Sequence, residues 1–178
     1  TDPKKNTPRV LKAYSEYLKK STKKLPLLIA DLKEDAIDRI LEEEKMMDIK
    51  SYLRFPGYIA NTDLAALYGG AFAFLYPSLR ESFGIPMLEA MACGTPIIAG
   101  NTSAMPEIAG DGALLVDPFS PEDITAKILK LENDETFYQQ QVEYGLKRSQ
   151  MFSWRNTAES LLNIYKELSL SNICPVSK

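Results

Sequence analysis

Short apolar runs alternate with amphipathic stretches along almost the whole chain. Apolar runs of strand length lie at residues 26–30, 52–55, 71–76, 96–99 and 113–116. The first of them, PLLIA, predicts a buried strand. Apolar residues at helical spacing predict helices at residues 7–24, 34–47, from 61 onwards, and at 86–93, 121–132, 134–150 and 154–169. This alternation with short connections predicts an α/β fold, a doubly wound parallel sheet with additional C-terminal helices.

Polar residues and prolines mark the expected helix starts. Thr7 stands before Pro8, and Ser120 stands before Pro121, so each pair predicts a capping residue followed by a first-turn proline. The segment 61–63, Asn-Thr-Asp, is expected to cap the third helix. Gly94 follows the fourth helix, where a glycine commonly ends one.

The chain opens on a loop that leads directly into a helix. In a doubly wound sheet such a loop follows a first, central strand. The segment TDPKKN has no strand before it, so we expect the first central strand to be missing from this chain and the natural protein to be longer. Residues 1–170 are expected to form the domain, and residues 171–178 a loose tail.

Composition narrows the function classes. The 178 residues are 45% hydrophobic and 25% charged, which is typical of globular domains. The net charge of −3 gives no reason to expect nucleic acid. The chain contains no histidine, and Cys93 and Cys174 have no metal-ligand spacing, so we expect no metal site and a reducing, cytoplasmic location.

Two interpretations of the basic end of the first helix remain open. Lys19, Lys20, Lys23 and Lys24 lie near its C-terminus. They either contact anionic lipid, which would bring the protein to the inner face of the membrane as a peripheral partner, or they complement the helix dipole. The second interpretation is the simpler one.

The candidate site lies in loops that follow strands, because ligands of open parallel sheets bind at the carboxyl ends of the strands. The most informative loop is PSLRESFGIPMLEAMACGTP, residues 77–96. Gly84 allows close approach of the backbone, and the amides of Gly84, Ile85, Met87 and Leu88 at the helix start suit a phosphate. Glu81 and Glu89 flank this position and suit sugar hydroxyls. The alternative is that Glu89 is a first-turn residue favoured by the helix dipole and Glu81 a solvated loop charge.

The segment ESFGIPMLEAMACGTP resembles the E-x-F-G-x-P-x-x-E-A-x-A-x-G-x-P signature of family 4 of the retaining glycosyltransferases, which have the GT-B fold. PKKN at residues 3–6 is similar to the family's P-R-K-N segment, and FPGYI at 55–59 to its F-x-G-Y-V strand end. The resemblance extends from about residue 3 to 168. It implies the C-terminal, Rossmann-like half of a GT-B enzyme.

The resemblance also implies roles for individual residues. Glu81 would bind hydroxyls of the donor hexose, and Glu89 those of the ribose. Lys5 would neutralise the diphosphate in place of a metal, so Glu81 and Lys5 are the catalytic candidates. The sugar and diphosphate would lie against the backbone of Ser82, Phe83, Gly84 and Ile85. The family often has glycine at the position of Ser82.

Other implied contacts leave alternatives open. Gly57 and Tyr58 would meet the nucleobase, although Tyr58 is equally an ordinary strand-end aromatic. Ser78 would reach the nucleotide or only shape a turn. Lys4 stands where the family often has arginine, and a solvated loop start is the simpler interpretation of it. Ser103 and Glu107 are expected to serve in loop packing and helix capping, with contact to the donor as the alternative.

The function implied is that of a donor-binding domain without cofactor. The whole enzyme would transfer a hexose from a nucleotide sugar, such as GDP-mannose or UDP-glucose, to an acceptor in polysaccharide biosynthesis, with retention and without a metal. The acceptor would be held by an N-terminal domain absent from this chain, so the fragment alone is expected to be inactive. A non-catalytic nucleotide-sugar-binding module and another GT-B enzyme, such as an epimerase or a phosphorylase, are the alternatives.

Overall fold

The computed structural model describes residues 2–170. The expected tail at 171–178, with Cys174, lies outside the described residues. The described residues contain five strands: β1 Leu27–Ala30, β2 Leu53–Gly57, β3 Phe74–Tyr76, β4 Ile97–Gly100 and β5 Leu114–Val116. The helices are α1 Thr7–Lys20, α2 Glu34–Glu43, α3 Asn61–Gly70, α4 Ile85–Ala92, α5 Met105–Ala109, α6 Pro121–Asn133, α7 Glu135–Ser149 and α8 Trp154–Leu170. Short 3-10 turns lie at Pro3–Lys5, Met47–Tyr52 and Gly110–Gly112.

All strand pairs are parallel, as predicted, but the strands form two sheets. β1 pairs with β2, and a second sheet has the order β3-β4-β5. Within residues 2–170, β1 and β3 therefore each have one strand neighbour. The expected first central strand would join the sheets at these two edges, and it stays a prediction.

Two clusters of buried side chains surround the sheets. Side chains of α1, α2 and α6 pack around residues of both sheets in the first cluster. The second cluster lies between α4, α5 and the other residues of β3 and β4. β4 is buried at all four positions, because it lies between β3 and β5.

The prediction of a strand at 26–30 is confirmed, but the prediction that it is buried is wrong, because none of its residues is fully buried. Leu27 and Ile29 of β1 are partly buried against the first cluster, whereas Leu28 is 41% exposed. Successive side chains of a strand point to opposite faces, so uniform apolarity does not guarantee burial of both faces. No described element covers the face that carries Leu28 and Ala30.

Two helices end earlier than predicted, for local reasons. α1 stops at Lys20 because Ser21 is extended and its Oγ accepts from the N–H groups of Lys23 and Lys24, at 3.1 and 2.9 Å. α2 stops at Glu43 rather than 47, and Lys45 has a left-handed backbone with φ of 55°. Neither break is marked by glycine or proline, the usual stop signals.

The predicted caps are correct only in part. Ser120 accepts from the N–H of Asp123 at 3.2 Å, as predicted. Thr7 is the first residue of α1, and Asn6 precedes it in a left-handed conformation. The segment 61–63 begins α3 without a side-chain cap bond, and Ala60 occupies the capping position. The short helix α5 was not predicted, because its five residues are too few for a periodic pattern.

The helix α8 is exposed from Trp154 to Ser169. Its apolar side chains include Trp154 at 85% exposure and Tyr165 at 65%. The resemblance implies that such a helix crosses to the N-terminal domain, and this stays a prediction. Among the described residues, no helix is both long and apolar enough to cross a membrane.

Candidate functional site

A cavity of about 640 Å³ opens where β3 and β4 end, as expected for a parallel sheet. Its volume falls in the ordinary range for small-molecule sites. The lining comes from the N-terminal turn and the loops after β3 and β4: Asp2, Lys4, Lys5, Arg80, Glu81, Ser82, Ser103 and Ala104. Four of the predicted site residues, Lys4, Lys5, Glu81 and Ser82, therefore meet at one cavity.

The turn Pro3–Lys5 is fixed by main-chain and side-chain hydrogen bonds. Asp2 accepts from the N–H of Lys4 at 3.0 Å, and the carbonyl of Lys4 accepts from the N–H of Leu79 at 2.8 Å. Asn6, only 1% exposed, donates from Nδ2 to the carbonyls of Pro77 at 3.0 Å and Pro118 at 2.6 Å. These bonds attach the turn to the loop after β3.

Lys5 and Glu81 form an ion pair although 76 positions separate them in the sequence. Nζ of Lys5 donates to Oε1 of Glu81 at 2.7 Å, with the lysine side chain 51% exposed and the glutamate side chain 17% exposed. The pair lines the cavity. Glu81 is therefore not a freely solvated loop charge, and that interpretation of it is wrong.

Glu81 is held ionised by its neighbours. Burial by itself raises the pKa of its carboxyl, but hydrogen bonding from Lys5, Ser78 and Tyr76 outweighs the burial and leaves the pKa below its usual value. An ionised carboxylate only accepts hydrogen bonds, which suits sugar hydroxyls. Ser78 is 2% exposed and interacts with Glu81, so its side chain supports the carboxylate. Its predicted contact with a nucleotide stays a prediction.

The loop after β4 supports the same segment. The hydroxyl of Ser103 accepts from the N–H of Glu81 at 3.3 Å and donates to its carbonyl at 2.5 Å. Thr102 donates to the carbonyl of Leu79 at 3.2 Å. A Cβ at Gly100 would lie 2.8 Å from the carbonyl oxygen of Ser78, so only glycine allows this approach. Loop packing by Ser103, as predicted, is confirmed.

The start of α4 has the conformation that the signature implies. Gly84 precedes the helix with φ of 95°, a conformation that side chains disfavour, and no side chain caps the helix. The prediction that the amide of Met87 is available to an anion is wrong, because it donates to the carbonyl of Gly84 at 3.0 Å. Phe83 and Ile85 are exposed, and the ring of Phe83 meets that of Phe152 edge-on at 6.0 Å.

Glu89 lies one turn further along α4 and does not line the cavity. Its carboxylate side chain is exposed. The burial of Tyr68, together with this carboxylate, raises the pKa of Tyr68 to about 12. No acidic residue lies in the first turn of α4, so the alternative that Glu89 is a first-turn residue stabilised by the helix dipole is wrong.

Gly57 and Tyr58 also lie outside the lining of this cavity. Gly57 ends β2 with φ of 75°, and its carbonyl accepts from the N–H of Asp31 at 3.3 Å. Tyr58 follows with 80% of its surface exposed. Their contact with a nucleobase stays a prediction.

Several residues of the site were missed by sequence reasoning. Arg80 and Asp2 line the cavity, Asn6 anchors the turn, and the Tyr76 ring lies 5.4 Å from the ammonium of Lys5. Arg80 was detectable as the neighbour of Glu81, and Tyr76 as the last residue of a strand that ends at the site. Asn6 has no comparable signal, because its bonds depend on two distant carbonyls.

Two further features concern potential metal ligands and the basic end of α1. No group of three or more potential metal-ligating residues occurs in residues 2–170. In the basic end of α1, Lys19 and Lys20 both pair with Glu16, at 2.7 and 4.0 Å. The pairing reduces the charge that this helix presents to a membrane.

The sequence comparisons agree with the resemblance. The family model for "Glycosyl transferases group 1" matches residues 1–148. The chain is similar to the O-antigen chain mannosyltransferase B of Escherichia coli, with 33% identity over 170 residues. The match covers 94% of this chain and 44% of the relative, so the chain spans less than half the length of that relative.

Two solved structures confirm the α/β fold. The C-terminal domain of LpcC, a glycosyl transferase group 1 family protein of Francisella tularensis, matches with a TM-score of 0.73 and 25% identity, covering 85% of this chain and 80% of that chain. HepE of Anabaena, solved in complex with UDP and glucose, matches with a TM-score of 0.79 and 17% identity, covering 94% and 46%. At such low identity, the likeness to HepE concerns the fold alone.

Proposed function

This chain belongs to the group 1 glycosyl transferases, and from that premise we propose that it is the donor-binding domain of a retaining hexosyltransferase. The enzyme uses a nucleotide diphosphate sugar and transfers the hexose to a glycan or a lipid-linked acceptor. The observation that carries the proposal is the Lys5–Glu81 pair at the cavity, where one cation and one ionised carboxylate stand 2.7 Å apart. A sugar diphosphate offers hydroxyls to the carboxylate and phosphate oxygens to the cation.

The charges around the pair support a diphosphate. Lys4, Lys5 and Arg80 line the cavity together with two acidic residues, Asp2 and Glu81. Half of the Lys5 side chain is exposed, so its ammonium is accessible to a ligand. On donor binding, Lys5 would exchange part of its contact with Glu81 for the diphosphate, which leaves the carboxylate to the hexose hydroxyls.

The chemistry follows from this division of roles. The acceptor hydroxyl attacks the anomeric carbon from the face of the leaving group, the bond from that carbon to the diphosphate breaks, and the acceptor's proton passes to the departing phosphate. Negative charge grows on the diphosphate in the transition state, and a fixed cation beside it lowers the barrier. Lys5 serves as that cation, so we propose a reaction without a metal and without a protein nucleophile.

The comparisons suggest the donor more narrowly. The E. coli relative is named as an O-antigen chain mannosyltransferase, and the HepE structure contains UDP and glucose. GDP-mannose and UDP-glucose are therefore the first donors to test, and polysaccharide assembly is the proposed context. The length of the relative supports an additional acceptor domain, with α8 as the surface that contacts it. We propose that the enzyme is cytoplasmic. Peripheral contact with the inner face of the membrane is not part of this proposal.

The test is a thermal-shift panel on the full-length protein with UDP, GDP, ADP and NAD. A ligand present at about 100 times its Kd stabilises by about 2.7 kcal/mol. We expect one nucleoside diphosphate to stabilise the wild type, and Glu89→Ala to lose that stabilisation. Glu143→Ala, an exposed glutamate of α7, is the matched control and is expected to keep it. If no nucleoside diphosphate stabilises the full-length protein, the proposal is wrong.

A second measurement separates an enzyme from a binding module. Hydrolysis of the preferred nucleotide sugar by the full-length protein is expected at a slow but measurable rate. Tight binding of the donor with no hydrolysis and no transfer to any added acceptor would instead indicate a non-catalytic module.

A further inference from the structure

Arg148, in the last turn of α7, binds the C-terminal end of the short helix α5. Its Nε donates to the carbonyl of Ile108 at 2.8 Å, and its Nη2 donates to the carbonyl of Glu107 at 2.5 Å. The last carbonyls of a helix have no partners within the helix, and the helix dipole favours a cation there. The guanidinium therefore supplies the hydrogen bonds that this end of α5 needs.

The turn that follows α5 leaves space for the same side chain. A Cβ on Gly110 would lie 3.1 Å from Cζ and Nε of Arg148, and a Cβ on Gly112 would lie 2.8 Å from its Cβ. A side chain at Gly112 would therefore displace Arg148. The close approach of this turn to α7 fixes the location of the guanidinium.

The position of α5 in turn fixes one loop of the cavity. The helix begins at Met105, directly after Ser103 and Ala104, which line the cavity. The hydroxyl of Ser103 binds both the N–H and the carbonyl of Glu81, at 3.3 and 2.5 Å. A displacement of α5 would therefore move the hydroxyl that holds the main chain of Glu81.

A second connection runs from Arg148 through two aromatic rings. Cζ of Arg148 lies 5.0 Å from the centroid of the Phe152 ring, a cation–π distance. The rings of Phe152 and Phe83 meet edge-on, with centroids 6.0 Å apart and planes at 89°, an arrangement that aromatic pairs prefer. Phe83 lies in the signature segment, directly before Gly84. Arg148 is thus connected to the signature segment by two routes.

We propose that Arg148 and Phe152, which we call the clamp, are positioning residues for donor binding. The inference rests on the proposed function, in which the main chain from Ser82 to Ile85 holds the sugar and the diphosphate. Neither residue of the clamp lines the cavity, so each acts through the segment that it contacts. A segment whose conformation is fixed in advance loses less conformational freedom on binding, which increases affinity.

Replacement of either clamp residue is expected to weaken the donor in a folded protein. Phe152→Leu keeps an apolar side chain but removes the ring, and should weaken a nucleotide sugar roughly threefold to tenfold. Phe152→Tyr keeps the ring and should keep wild-type affinity. Arg148→Lys keeps the charge, but an ammonium lacks the planar fork that reaches both carbonyls of α5, so we expect a loss of about tenfold or more.

The experiment combines two measurements on the full-length protein. Calorimetric titration with GDP-mannose and UDP-glucose gives the affinity of each variant. Amide hydrogen exchange without ligand gives the local stability of the signature segment. Phe152→Leu and Arg148→Lys should accelerate exchange at residues 80–85 and leave the buried strand β4 at the wild-type rate, whereas general destabilisation would accelerate both.

Phe72→Leu is the matched control. The Phe72 ring also belongs to an aromatic pair with a cation beside it: it stacks on Tyr138 at 5.1 Å, and Nζ of Lys23 lies 5.8 Å from its centroid. This variant is expected to change neither donor affinity nor exchange at residues 80–85. In a Phe83→Leu background, Phe152→Leu should have no additional effect on the nucleotide sugar, because the partner ring is already absent.

The contrary outcomes are distinguishable. If the wild type binds a nucleotide sugar and both Phe152→Leu and Arg148→Lys bind it equally well, the inference is overturned and the proposed function stands. The inference is also overturned if Phe152→Tyr or Phe72→Leu loses as much affinity as Phe152→Leu, or if exchange accelerates equally in β4. If the wild type binds neither nucleotide sugar, the proposed function is wrong and the inference falls with it.

Discussion

Glu81 and Glu132 each interact with a tyrosine and a serine in two regions of the molecule, but only Glu81 forms an ion pair with a lysine. Glu81 is surrounded by Tyr76, Ser78 and Lys5. Glu132, near the end of α6, accepts from the hydroxyl of Tyr17 at 2.5 Å and from that of Ser21 at 2.8 Å, and its carbonyl accepts from Lys23 at 3.5 Å. In both, burial raises the carboxyl pKa, and hydrogen bonds outweigh it and lower the pKa.

The two glutamates differ in their access to solvent and to a cavity. Glu132 is 8% exposed and connects α6 to the end of α1, with no described cavity beside it. Glu81 lines a cavity of about 640 Å³, and its cation is half exposed. A lowered pKa by itself therefore does not identify a functional carboxylate. A functional carboxylate is distinguished by its access to a cavity and by nearby charged side chains that have no ion-pair partner.

The comparison predicts opposite consequences for the two sets, and the largest concerns Lys5. Lys5→Ala in the full-length enzyme is expected to lower the rate of hexose transfer by about 100- to 1000-fold, since it removes the cation that stabilises the leaving diphosphate. Stability should change by less than about 1 kcal/mol, because the pair is partly solvent-exposed. Steady-state kinetics and thermal unfolding measure the two effects.

Lys147→Ala is the control for the loss of one positive charge away from the cavity, since Lys147 is an exposed residue of α7. It is expected to leave both quantities unchanged. A Lys5→Ala enzyme that keeps its transfer rate within about threefold would contradict the role of Lys5.

The next largest effect is expected on the free energy of unfolding when Glu132 is replaced. Glu132→Ala leaves the hydroxyl groups of Tyr17 and Ser21 without their acceptor, at a cost of about 2–3 kcal/mol in the free energy of unfolding. Donor affinity should stay at the wild-type value, because no residue of this set lines the cavity. Chemical denaturation and ligand titration separate the two outcomes. Loss of donor affinity in the folded variant would remove the distinction between the two regions.

A smaller effect is expected in the acid dependence of stability. The folded pKa of Glu132 lies below the unfolded value of 4.5. Its contribution to stability is therefore fully present above about pH 4.5 and decreases as the pH falls through the folded pKa. Glu132→Gln should flatten the acid limb of a plot of unfolding free energy against pH. An unchanged acid limb would mean that Glu132 carries no linked proton.

The smallest effect is expected at the rim of the cavity. Lys4 and Arg80 line it and are exposed, and their side chains make no ion pair within residues 2–170. Lys4→Ala and Arg80→Ala should each weaken a nucleoside diphosphate by roughly threefold at low salt and less at high salt, because exposed charges are screened. Titrations at two salt concentrations test this. A loss independent of salt would indicate a direct, desolvated contact.

Local sequence patterns predicted most of the elements. Apolar runs located all five strands, and the signature segment located Glu81, Glu89 and the glycine before α4. Helix ends were less predictable: α1 ends where Ser21 binds Glu132, a residue 111 positions away. The short helix α5 and the exposed face of β1 likewise depend on neighbours that no local pattern contains.

The sequence by itself determined the class of the fold, the family and the two glutamates, because spacing within one loop and one helix is a local property. Only the tertiary structure decided that Lys5 pairs with Glu81, since that contact depends on the bonds of Asn6 to Pro77 and Pro118. It also decided which carboxylate is accessible: Glu81 and Glu132 each interact with a tyrosine and a serine, and only the packing of distant segments leaves a cavity and a paired lysine beside Glu81.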